Sequence, residues 1–117
     1  MLMTKLMIAI AALAAMSTVA HSQTTGDQWI ALCSKGASAA ELASCGFYAR
    51  GVADAVMVAQ RVSPQLPPAC IPAGATGNDL ATLALPFLQG QPPTARQVVA
   101  AALLMDVFRE AFPCPRK

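Results

Sequence analysis

Imidazole is nearly missing from this chain. Of 117 residues one is a histidine, His21, and it stands at the end of an apolar leader rather than in the segments that follow. That argues against a serine or cysteine nucleophile activated by histidine, and it removes the commonest metal ligand. Charged residues make up 12% and aromatics 5%. Lys35, Arg50, Arg61, Arg96 and Arg109 are scattered singly, and only Arg116 and Lys117 adjoin. Such spacing leaves no electrostatic footprint for nucleic acid or for anionic lipid. Sustained apolar–polar alternation is also lacking, and alanine far outnumbers the β-branched residues, so strands are not expected. The stretch GATGND has neither the lysine nor the preceding strand of a phosphate-binding loop.

What is present begins with MLMTKLMIAIAALAAMSTVAHSQTT. One positive charge, Lys5, precedes an apolar run from Leu6 to about Ala15 and then small residues, the pattern of a secretory signal peptide. Cleavage fits after Ala20 or after Ser22, and the second is preferred, giving a leader of residues 1–22 and a single helical domain over 23–117. Ser17 and Thr18 interrupt the run before the roughly 20 apolar residues a transmembrane span requires. No membrane anchor is expected after cleavage, and export to the periplasm is.

Cys33, Cys45, Cys70 and Cys114 all lie beyond the leader. An even count in a short exported chain reads as two disulfides. Structural zinc draws on close pairs or on histidines, and here the nearest two cysteines stand 12 positions apart, so no metal or other cofactor is expected.

Helical signals dominate. A first helix fits Asp27 to Cys33. Ser38 with Glu41 forms a capping box that opens a long second helix, ending near Ser63 before Pro64, with Tyr48, Val52, Ala55, Val56 and Ala59 along one face. The segment SPQLPPACIPAGATG is a pinned connection. Thr76 with Asp79 opens a third helix with an apolar stripe of Leu80, Leu83, Ala84, Phe87 and Leu88, in which Pro86 predicts a kink or an early end. Thr94 with Gln97 caps a fourth helix to about Phe112, with Val98, Ala101, Met105, Phe108 and Phe112 inward. The fold class is all-α, a small four-helix bundle stapled by disulfides.

Short connections make neighbouring helices antiparallel, and that selects the crosslinks. The helix from Cys45 to Val62 spans roughly 25 Å, whereas disulfide partners need Cα atoms within about 7 Å. Cys33 therefore pairs with Cys45 at one pole, and Cys70 with Cys114 at the other.

Few residues suggest chemistry. Asp106 and Glu110 share a helix face but read as solvated surface beside Arg109. Asp54 reads as a structural acceptor for a neighbouring helix end. Gly51 and Ala55 read as a place of close helix approach, and Gly46 as room for the crosslink. Trp29 and Tyr48 read as core anchors rather than as a binding surface.

The order CGFYARGVADA, ACIPAGATGNDL, PFLQGQPP and AALLMDVFREAFPC resembles the Rap/Tai type of immunity protein, small periplasmic helical proteins associated with bacterial type VI secretion. The likeness covers Trp29 to Cys114. It rests on Tyr48 and Gly51 after Cys45, on Cys70-Ile71-Pro72, and on Ala111-Phe112-Pro113-Cys114. Two positions depart from the pattern: Phe47 stands where glycine is expected before Tyr48, and Pro86 interrupts the third helix.

The resemblance implies binding without catalysis. The protein would inhibit a peptidoglycan amidase effector, with a cysteine amidase as the target the resemblance suggests, by occluding its active site, and would act as a homodimer. The toxin-binding residues are expected in the exposed turn Gln89, Gly90 and Gln91 on its rigid mount. Tyr48, Gly51, Asp54, Pro72, Phe112 and Pro113 are expected to be structural. Two other readings are a periplasmic acid-stress holdase, for which the carboxylates are sparse, and an exported member of the family without a toxin partner.

Overall fold

The computed structural model describes residues 23–115. The leader assigned to residues 1–22, with His21 and both cleavage positions, lies outside the described residues, as do Arg116 and Lys117. The elements are helices α1 (Gly26–Cys33), α2 (Ala39–Val62), α3 (Gly77–Gln89), α4 (Pro93–Arg96) and α5 (Ala100–Ala111). Among the described residues there is no strand, only one isolated β-bridge between Thr25 and Val99.

Three helices open with the same reciprocal cap. The N–H of Gln28 donates to the Thr25 hydroxyl at 3.2 Å while Gln28 Oε1 accepts from Thr25 N at 2.9 Å. Ser38 with Glu41, and Thr76 with Asp79, repeat this at 3.0–3.1 Å. Each box satisfies two backbone donors that a helix start otherwise leaves free. Both carboxyls are held below their ordinary values, first by the backbone N–H of the cap residue and then by its hydroxyl.

Trp29, Phe108, Leu80, Leu88, Leu104 and Val56 are the largest fully buried side chains, so α1, α2, α3 and α5 share one core. The indole N–H of Trp29 donates to the carbonyl of Cys45 at 3.2 Å, which ties α1 to α2 beside the Cys33–Cys45 disulfide. α2 is long and apolar enough by composition to cross a membrane, but its stripe of Cys45, Ala49, Val52, Ala53 and Val56 is buried among the other helices.

The expected fourth helix is two. Pro92 precedes the single turn of α4, Thr94 caps nothing, and the chain breaks over Gln97–Val99. The cause is distant in sequence. Gly26 N donates to Val98 O at 2.9 Å, and Ala100 N to Thr24 O at 2.8 Å. The segment before α1 thus takes the backbone groups that a continuous helix would have used. α5 then starts in a new phase: Ala100, Leu104, Val107 and Phe108 are buried, Ala101, Met105 and Phe112 are only partly so, and Val98 is exposed.

Expectations at four other residues are affected. Of the two outcomes predicted at Pro86, a kink or an early end, the early end does not occur, since α3 runs through it to Gln89, and Phe87, expected inward, is 46% exposed. Ala55 is exposed, outside the buried face of α2. Gly51 is exposed, with nothing within 4 Å of where a Cβ would stand, so it permits no close approach inside the chain. That role belongs to Gly46 and Gly77, where a Cβ on Gly77 would fall on the Gly46 carbonyl, and α2 and α3 touch through their backbones.

Candidate functional site

Two disulfides frame the domain. Cys33 and Cys45 have Cα atoms 5.3 Å apart, and Cys70 and Cys114 4.9 Å apart. Among the described residues no cysteine is free, and no group of histidine, cysteine, aspartate or glutamate could hold a metal ion. The N–H of Cys70 also donates to Phe112 O at 2.8 Å. Phe112 is partly buried, its ring 6.4 Å from that of Phe108, and Pro113 is exposed. Pro72 is exposed and its carbonyl accepts from Ala75 N in a turn. These residues fasten the C-terminal tail and the proline-rich connection to one another.

Tyr48 is partly buried against the core. Asp54 does not reach a neighbouring helix end. It is exposed and paired with Arg50 at 2.6 Å on its own helix, and it is Arg50 that crosses, donating to the Ala75 carbonyl at 2.8 Å. Asp106 and Glu110 are exposed on α5, with Asp106 3.9 Å from Arg109.

The turn Gln89, Gly90 and Gln91 joins α3 to α4 and is exposed throughout. Its backbone is braced from within, Gly90 N to Pro86 O at 3.0 Å and Gln91 N to Leu88 O at 3.1 Å. A side chain absent from the sequence-based expectation braces it from outside. Arg96 Nη1 donates to the carbonyls of Gln89 and Gln91 at 3.4 and 3.2 Å, while its Nε donates to Asp27 Oδ1 at 2.8 Å. A planar guanidinium can hold a turn and a carboxylate together in this way. Asp27 lies 69 positions away in sequence, so no local pattern announces the clamp. Beside the turn a hollow of about 110 Å³ is lined by Phe87, Gln91, Leu103, Asp106 and Glu110. The side chains of Gln89 and Gln91 make no hydrogen bond among the described residues and are exposed.

The described residues thus form a small, doubly crosslinked helical domain whose polar groups serve as caps, ion pairs and a braced turn. The model of the Rap1a immunity proteins matches residues 25–114, and the chain belongs to that family. Membership implies an immunity function and a toxin partner. Neither a curated protein nor a solved structure gives a match.

Proposed function

We propose that this chain is a periplasmic immunity protein of the Rap/Tai type. It binds a peptidoglycan-degrading amidase delivered by type VI secretion and blocks the amidase active site with the turn Gln89, Gly90 and Gln91. The protein is exported by its leader, matures after residue 22, carries out no catalysis of its own, and works as a homodimer. The observation that carries the mechanism is the clamp of Arg96 on the carbonyls of Gln89 and Gln91 and on Asp27. An exposed turn whose backbone is already fixed loses little entropy on docking into a cleft. Amide groups on such a tip offer both donors and acceptors to a polar active site.

The test is inhibition of peptidoglycan hydrolysis by a type VI amidase effector, taken from the neighbouring gene if one is encoded there. Stoichiometric inhibition is expected from the mature protein. Replacing Gln89, Gly90 and Gln91 together with alanine, which keeps every backbone donor of the turn, should weaken inhibition at least tenfold with the melting temperature little changed. Unaltered inhibition by the triple variant would remove the turn from the mechanism, and no inhibition by the wild type would remove the amidase.

A further inference from the structure

The chain has six acidic residues, and the fold engages four of them. Asp27 accepts from Arg96 at 2.8 Å and Asp54 from Arg50 at 2.6 Å. Glu41 and Asp79 accept from the backbone N–H of their cap residues, each at 3.0 Å. The remaining two stand together. Asp106 and Glu110 lie four apart on α5, which brings their Cβ atoms to about 5–6 Å. Neither makes a hydrogen bond among the described residues, and the side chain of Asp106 is 80% exposed, with only Arg109 near it at 3.9 Å. Glu110 occupies the last turn of α5, where the helix dipole disfavours a negative charge. The fold gains no contact from it there.

Both carboxylates belong to the wall of the hollow of about 110 Å³ beside the Gln89–Gln91 turn. Leu103, Asp106, Val107 and Glu110 bring one side of α5 to it, while Phe87, Leu88 and Gln91 bring the end of α3 and the turn. Leu88 and Val107 are buried and Phe87 is 46% exposed, so the floor is apolar and one aromatic ring is open to a visitor. A space of this size is well below the roughly 300–1,000 Å³ of a small-molecule site, and it suits a single side chain. An apolar floor edged by carboxylates matches a long aliphatic stem that carries a cation at its tip. Arginine can in addition lay its guanidinium on the Phe87 ring and reach both carboxylates with its five donors. Arg109 offsets only part of the charge, since two carboxylates and one guanidinium leave one net negative charge.

We infer that this notch receives a basic side chain, arginine or lysine, from the toxin that the turn engages. The inference rests on the amidase reading above and adds to the turn a second anchor, on α5, that selects the partner by charge. Gln91 belongs both to the turn and to the wall of the notch, so the basic group it serves stands at the edge of the cleft that the turn fills. The attraction is local to this edge, because the chain as a whole carries a formal net charge of +2.

Calorimetric titration of the amidase with the mature chain, at low and at high salt, tests it. Asp106→Asn/Glu110→Gln should weaken binding about tenfold and Asp106→Lys/Glu110→Lys about 100-fold, as loss and reversal of a charged anchor do. Added salt should weaken the wild type, barely move the neutral variant and partly restore the lysine variant, since exposed charges are screened. Both side chains are exposed and Glu110 opposes the helix dipole, so the melting temperatures of the variants should match or exceed that of the wild type. Wild-type affinity and salt dependence in both variants would overturn the notch and leave the turn in place. Weaker binding matched by a fall in melting temperature would assign the two carboxylates to the fold and overturn the notch as well. No binding by the wild type would overturn the amidase reading and the notch together.

Discussion

Cys70 and Phe112 are joined through their backbones, N–H to carbonyl at 2.8 Å, two residues before the tail is crosslinked to Cys70 through Cys114. One short segment is thus held both covalently and by a hydrogen bond. The crosslink closes a sequence separation of 44 residues, and loop-closure entropy assigns it about 4 kcal/mol, against about 3 for the 12-residue separation of Cys33 and Cys45. Replacing Cys70 and Cys114 together with alanine should lower unfolding free energy by about 4 kcal/mol in urea titrations. Equal losses from the two disulfide deletions would contradict the chain-entropy account.

Trp29, the only tryptophan of the chain, is fully buried. Its emission should be blue-shifted in the folded protein and move to longer wavelength on unfolding. Trp29→Ala should cost about 3–5 kcal/mol, as large-to-small changes in a core do. Trp29→Phe keeps most of the volume but loses the hydrogen bond to Cys45, and about 1–2 kcal/mol is expected from denaturant melts of that variant.

The glycines of α2 and α3 should respond in opposite directions. Gly77→Ala drives a methyl group into the Gly46 carbonyl, where backbone cannot yield cheaply, and a loss of about 1–3 kcal/mol is expected. Gly51→Ala meets open space on a helix and should stabilise the dilute single chain by up to about 1 kcal/mol. Thermal melts at low concentration compare the two directly.

Acid should weaken the starts of α2 and α3 before the core. Glu41 and Asp79 are held below the ordinary carboxylate range by their cap hydrogen bonds. A depressed folded value means that the stabilisation is fully present above the unfolded carboxylate pKa, near 4, and is lost as pH falls through the folded value. Hydrogen exchange at the first-turn amides should accelerate below about pH 4, and Glu41→Gln should remove most of the pH dependence at α2. Persistence of that dependence in Glu41→Gln would sink the assignment.

The clamp at the α3–α4 turn gives one more expectation. Arg96→Gln should speed amide exchange at Gly90 and Gln91 while lowering global stability by no more than about 1 kcal/mol, since the Arg96–Asp27 pair is exposed. Unchanged exchange at those two amides would mean that the turn stands without Arg96.

What the sequence disclosed was mainly local. Ser38 with Glu41 and Thr76 with Asp79 announce their helices, because a capping box needs only residues three apart. Thr25 with Gln28 carries the same signature, yet the first helix was expected one residue late, at Asp27, without its cap. The all-helical class and the presence of two disulfides follow from composition and cysteine count. The break at Gln97–Val99 was not legible, because it depends on Thr24 and Gly26 arriving from the far end of the chain. Thr94 with Gln97 satisfies the local cap rule and still loses to that tertiary pairing. The bracing of the Gln89–Gln91 turn was hidden for the same reason, as Arg96 acts through Asp27. Gly51 and Asp54 stand on the side of α2 away from its buried stripe, and a helix as apolar all round as this one does not announce from its sequence which side faces the core.

The pairing of Thr24 and Gly26 with Val98 and Ala100 has a consequence for biogenesis. A nascent chain that emerges N-terminus first must wait for its last quarter before those opening residues find their acceptors and donors. Closure is therefore a late event, and any nascent chain shorter than that remains without its seam.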